Sequence, residues 1–308
     1  MHLQRFTTSL PEDRLTIRND FEELGLTSFK AQVYERVFGL NEVPIAQPGA
    51  LTGLLERCAS TLLDNAQARR SLACVIHAHS APILGHFGRS TVADALRRFG
   101  LGGIPYFSLT DYRCVSFLSA LTVAQRILRD SRPGANALIL TGELAGTRTM
   151  RVIENVAITG DAAGAVLVGL DGERDRMLDV QFSHNGRFAA GVWLGDALKQ
   201  EYEQHYQDLM TGAIRSIAAR QRIDLDRVRW ILPHNVNVNS WYEAMNRLGL
   251  PHEKVWLAGV PKNGHCFCTD MLLNRQGLDA AGLLEPGDLY LMASAGVGGV
   301  FGTALFVH

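Results

Sequence analysis

Cys114 stands where a strand-like run, IPYFSLT (104–110), gives way to a new periodicity. Cys114, Phe117, Leu118, Leu121, Ala124, Ile127 and Leu128 recur at the spacing of one face of an α-helix. A cysteine at a helix start meets unpaired backbone N–H groups and the positive end of the macrodipole, and both favour the nucleophilic thiolate. His234 closes the apolar run VRWILP within Pro233-His234-Asn235-Val236-Asn237. The C-terminal ends of strands are where the sites of α/β proteins gather, which makes this imidazole a candidate base. Lys262-Asn263-Gly264-His265 places a second imidazole in a glycine-bearing loop ahead of another apolar helix. Gly296-Val297-Gly298-Gly299-Val300-Phe301-Gly302 follows the last long apolar strand. Taken singly, each has a bland reading: an inert buried thiol, a hydrogen-bonded structural histidine, a tight turn. Taken together and in this order, the four are much more specific than any one alone.

Competing chemistries fit less well. The glycine cluster lacks the strand–GxGxxG–helix context, with an acidic residue about 20 positions on, of a dinucleotide site. Cys266-Phe267-Cys268 beside His265 has the wrong spacing for the common zinc sites and no second ligand pair, so no metal is expected. The five cysteines Cys58, Cys74, Cys114, Cys266 and Cys268 form no regular framework, which suits reduced thiols. Thirty Lys+Arg against thirty-one Asp+Glu give a net charge of -1 and no general pull toward nucleic acid or anionic lipid. No apolar run reaches the roughly 18 residues of a membrane span, and the first residues resemble neither a secretion signal nor a transit peptide. The expectation is a cytoplasmic protein with neither nucleic acid nor membrane as a partner.

The elements that must position these residues alternate. Strands are expected at 71–79, 104–110, 136–143, 164–170, 176–183, 228–235 and 288–295, several of them apolar on both faces, as in a sheet covered by helices on both sides. Helices are expected at 114–129 and, longer and more polar, at 199–220. This alternation predicts an α/β architecture. A charged break at Asp171-Gly172-Glu173-Arg174-Asp175 divides the chain into two similar halves, 1–170 with the cysteine and 171–308 with the histidines and the glycine-rich turn.

Four segments in this order resemble the ketoacyl synthase III type of the thiolase superfamily. CVSFLSAL resembles that family's nucleophile segment CSGFLYAL, and Thr159-Gly160-Asp161-Ala162-Ala163-Gly164-Ala165 its FGDGAGA. His234-Asn235-Val236-Asn237 is similar to HQAN, and GDLYLMASAGVGGVFG to the closing strand and GxGxxWG turn, with Phe301 where tryptophan is usual. The resemblance runs from about residue 30 to the C-terminus. It implies a five-layered αβαβα thiolase fold of two pseudo-equivalent halves, usually a homodimer. It implies that Cys114 takes an acyl group from acyl-CoA or an acyl carrier protein, with no permanently bound cofactor. The backbone N–H groups of Cys114 and Val297 would form the oxyanion hole. His234 matches the motif histidine, and His265 falls where the family has asparagine.

On this reading the expected reaction is a decarboxylative condensation with a malonyl-type thioester in fatty acyl or specialised metabolite biosynthesis. Two neutral imidazoles would converge on the acceptor oxygen and stabilise an enolate. Two alternatives stay open: transfer from Cys114 to an alcohol or amine without decarboxylation, and a non-catalytic subunit that pairs with a synthase. Three departures mark a specialised relative: His265 itself, the bulky Tyr112-Arg113 pair before the nucleophile, and an N-terminal stretch that matches the usual first strand poorly.

Overall fold

The computed structural model describes residues 1–81 and 90–308. Nine strands form the main sheet: β1 (His2–Ser9), β2 (Leu72–Ala78), β3 (Tyr106–Leu109), β4 (Asn136–Glu143), β5 (Ala162–Gly169), β6 (Arg176–His184), β7 (Val228–Pro233), β8 (Leu289–Gly296) and β9 (Val300–Val307). Their order is β7-β8-β9-β6-β1-β5-β4-β2-β3. At the centre, β1 and β6 share one register pair, His2 with Arg176. Outward from it, each side repeats the same pairing senses. β1 pairs antiparallel with β5, β5 antiparallel with β4, and β4 parallel with β2. β6 pairs antiparallel with β9, β9 antiparallel with β8, and β8 parallel with β7.

Side-chain alternation turns these strands into layers, because successive residues of a strand face opposite sides. In β2 and β4, Val75 and Leu138 face a cluster with Leu54, Leu55, Val92 and Leu96 of helices α1 (Leu51–Leu62) and α2 (Thr91–Arg98). Their neighbours Ile76 and Ile139 face the opposite way, into a core shared with Phe117, Leu121 and Leu128 of α3 (Ser116–Arg129) and Met271, Leu272 and Leu278 of α6 (Asp270–Ala280). Met292 of β8 enters that same core from the other half. Leu291 beside it packs outward with Met210, Ile214 and Ile217 of α4 (Asp196–Gln221) and Trp241 and Met245 of α5 (Val238–Leu248). The two halves of the one sheet therefore act as separate layers, helix, half-sheet, helix, half-sheet, helix, the five-layered α/β arrangement of the thiolase fold. Strands covered on both faces need apolar side chains throughout, which is why they read as unbroken apolar runs.

Two strands of the main sheet lie outside the sequence expectation. β1 carries the mixed pattern HLQRFTTS, yet it occupies the middle of the sheet between β5 and β6, with Leu3 fully buried and most other positions half-buried. β9 follows the glycine-rich turn so closely that the turn and strand merge in the sequence.

Candidate active site

Cys114 lies in a 3-10 turn, Arg113–Val115, immediately before α3. Arg113 has φ 52°, a left-handed conformation costly for a side chain with a Cβ, so the turn into the helix is sharp. Gly296, at the end of β8, makes this packing possible: a Cβ there would lie 2.5 Å from the Tyr112 carbonyl oxygen. The Ser294 hydroxyl donates to the Cys114 carbonyl at 3.3 Å, tying the turn to the other half of the sheet. Val297 continues from Gly296 in the loop to β9 and lines the same cavity as Cys114.

His265 is placed by backbone. Its N–H donates to the Ile158 carbonyl at 3.0 Å, and its own carbonyl accepts from Gly160 N–H at 3.0 Å. Gly264 before it has φ 57° and an extended ψ, and a Cβ would lie 2.3 Å from the Ile158 oxygen. Asp161 of the TGDAAGA segment anchors the surrounding loops, accepting from Ala46 N–H and Ala145 N–H at 2.8 Å each and, through both oxygens, from the Arg151 guanidinium. The sequence motif thus supports His265 from behind.

The imidazole of His265 bridges two groups. Nε2 lies 3.2 Å from the Cys114 sulfur, and Nδ1 lies 2.5 Å from Oδ2 of Asp270, the first residue of α6. Asp270 is fully buried and also accepts from Asn235 N–H and Cys266 N–H at 2.6 Å each. Burial works against charge on His265. The Asp270 carboxylate, then the Cys114 sulfur, outweigh it and hold this imidazole well above its ordinary range, as the imidazolium.

His234 sits at the end of β7, with its ring 5.8 Å from that of His265 between centroids. Its Nε2 lies 3.1 Å from the Tyr206 hydroxyl of α4. The Trp241 indole N–H donates to its carbonyl at 2.9 Å. Burial, followed by the charge on His265, pushes its pKa down to about 3, so this ring is neutral. The expectation of two neutral imidazoles aimed at one acceptor oxygen is therefore corrected. The buried carboxylate charges His265 and turns it toward the sulfur, leaving His234 as the neutral ring.

The structure brings Cys114, His234, His265 and Val297 to one cavity of about 760 Å³. It runs from exposed Lys30, Arg148 and Lys199 to the buried sulfur, between walls that include Tyr34, Phe188, Tyr202 and Tyr206. Tyr112 instead packs against Phe182 and His184, with ring centroids 5.1 and 4.7 Å away. Sequence reasoning missed Asp270, Tyr206 and Ser80, whose hydroxyl donates to the Cys114 sulfur at 3.4 Å. For Asp270 a signal existed, an acidic residue opening a helix five positions after a loop histidine. For the other two there was none. Among the described residues no group of three or more His, Cys, Asp or Glu is arranged to hold a metal.

The arrangement matches known proteins along its length. Two family models fit, 3-oxoacyl-[acyl-carrier-protein (ACP)] synthase III over residues 110–186 and its C-terminal counterpart over 218–308, together more than half of the chain. A beta-ketoacyl-[acyl-carrier-protein] synthase III of Nitratidesulfovibrio vulgaris is 26% identical over 62% of this chain and 64% of its own length. The protein of the same name from Thioalkalivibrio sulfidiphilus is 25% identical over 96% of this chain and 95% of its own. The crystal structure of 3-oxoacyl-[acyl-carrier-protein] synthase III from Aquifex aeolicus superposes with a TM-score of 0.82 at 22% identity, covering 98% of each chain. The shared motif order, the layered fold and these matches lead to one assignment: the chain belongs to the 3-oxoacyl-[acyl-carrier-protein] synthase III family.

Proposed function

We propose that this family member is a covalent acyltransferase that passes an acyl group from Cys114 to a hydroxyl or amine acceptor without decarboxylation. The observation that carries the reading is the buried Asp270 carboxylate on Nδ1 of His265. A carbon nucleophile made by losing carbon dioxide needs no base. An O–H or N–H nucleophile does, and a carboxylate-backed imidazole against a cysteine is suited to supplying one.

In the first half-reaction the Cys114 thiolate attacks the thioester of an acyl-CoA or acyl carrier protein. The backbone N–H groups of Cys114 and Val297 are the proposed donors to the resulting oxyanion, and losing one such donor typically costs about 10²–10³ in rate. The donor thiol leaves with the proton from Nε2 of His265, which becomes neutral beside the new thioester. In the second, the acceptor gives its proton to that nitrogen and attacks the acyl carbon. Cys114 leaves as thiolate and the ion pair is restored. Asp270 holds the tautomer and stabilises the imidazolium each time it forms. Lys30, Arg148 and Lys199 suit the phosphates of the thioester carrier. A homodimer is the proposed assembly, following the family resemblance.

Condensation is the second reading. It is favoured by the 5.8 Å approach of the two histidine rings at one cavity, where charged His265 and neutral His234 could both donate to an enolate oxygen. Intact-mass measurement after incubation with acyl-CoA, followed by a chase with simple alcohols and amines, tests the proposal. An adduct on Cys114 that is discharged as ester or amide supports it. An adduct that persists through the whole panel contradicts it.

A further inference from the structure

The Cys114 sulfur has a second polar neighbour besides the His265–Asp270 pair. Ser80 follows the end of β2, and its hydroxyl lies 3.4 Å from Sγ as a donor. The same oxygen is 3.9 Å from the Cys268 sulfur, so it fills the space between the two thiols. An exposed serine would hold no fixed geometry, but this one is anchored through its backbone. Glu143, fully buried at the end of β4, accepts from the N–H of Ser80 at 2.6 Å and from that of Ala81 at 2.8 Å. β2 and β4 are adjacent parallel strands, so the sheet itself delivers the carboxylate to the chain leaving β2.

We propose that Ser80 is a further catalytic residue, a second hydrogen-bond donor to the reacting sulfur, and that Glu143 is the positioning residue that aims it. The assignment rests on Cys114 being the nucleophile, as in the function proposed above. A thiolate is a strong acceptor and a thioester sulfur a weak one, so the hydroxyl favours the thiolate. It therefore raises the fraction of reactive thiolate before acylation and eases departure of the same sulfur in the transfer step. Neither role requires Ser80 to gain or lose a proton.

The test is the rate of iodoacetamide alkylation of Cys114 against pH in wild type, Ser80→Ala and Ser80→Thr, read by peptide mass. A charge-assisted hydrogen bond is worth about 1.5–3 kcal/mol, so Ser80→Ala should alkylate about tenfold or more slowly near pH 6. Toward alkaline pH its rate should draw level with or exceed wild type, because a less stabilised thiolate is more nucleophilic. Ser80→Thr, which keeps the hydroxyl, should follow the wild-type curve. A Ser80→Ala curve that superimposes on wild type, or lies below it by one factor at every pH, overturns the proposal. Alkylation uses no acyl donor or acceptor, so this outcome is separate from the fate of the acyl-transfer reading.

Discussion

Asp270 and His265 form the closest charged contact at the site, 2.5 Å between Oδ2 and Nδ1, with both side chains buried. The pairing decides which of the two histidines is charged. His265 carries the proton beside the sulfur, and His234, 5.8 Å away between centroids, is neutral. Two like groups pushed to opposite protonation states are the usual sign of divided acid and base roles.

Replacing Asp270 by asparagine should leave the fold assembled and cut turnover by about 10³-fold or more, the scale seen when the orienting carboxylate of a triad is lost. Single-turnover kinetics with an acyl-CoA and an acceptor check this. Turnover within a few-fold of wild type would make the carboxylate merely structural.

Brief iodoacetamide treatment at neutral pH should label Cys114 before any other cysteine. Burial pushes Cys58 up to about 12 and Cys74 up to about 11, and it raises Cys266 and Cys268 well above the ordinary thiol range. Preferential labelling of Cys266 or Cys268 in peptide maps would contradict the assignment.

His234→Ala and His265→Ala should separate the half-reactions. His265 touches both the sulfur and the buried carboxylate, so its loss should slow acylation as well as transfer. Among the described residues the His234 ring bonds only the Tyr206 hydroxyl, so its loss should spare acylation and slow transfer, by about 10²-fold for a positioned imidazole. Burst and steady-state rates of thiol release give the two numbers. Unchanged rates in both variants would remove the histidines from the mechanism.

Stability should fall on the acid side. His77, His79 and His234 are buried, and burial first of all depresses them to about 3, 4 and 3 from an ordinary 6.5. Their contribution is complete above the unfolded value and is lost as pH falls through the window toward the folded values. The unfolded chain then binds up to three more protons, a slope of up to about 4 kcal/mol per pH unit. His265 has the opposite sign: its contribution is present below the unfolded value and is lost as pH rises through its raised folded pKa. Urea titrations at steps between about pH 7 and pH 5 check the acid limb. A flat profile there would mean that these rings can protonate inside the fold.

Much of this was legible in the sequence where one local rule sufficed. The strand at 136–143 and the helix around 116–129 declare themselves because burial on both faces, or on one helical stripe, leaves an apolar pattern. β1 did not, because its neighbours in the sheet, not its own side chains, hold it there. Cys114, His234 and His265, which the fold brings to one cavity, stand out in the sequence because thiol and imidazole are chemically distinctive and fall in recognisable segments. Asp270 and Ser80 were not, because an acid opening a helix and a serine after a strand are ordinary until the fold brings each within reach of the same thiol–imidazole pair.

The most direct measurement of the central claim is carbon dioxide release. Acyl-enzyme formed on Cys114 is mixed with a malonyl thioester labelled in its free carboxylate, in parallel with hydroxyl and amine acceptors. The account predicts that the adduct is discharged to ester or amide and that no labelled carbon dioxide appears. Labelled carbon dioxide released in step with loss of the adduct, together with a 3-oxoacyl product, would contradict it and establish condensation.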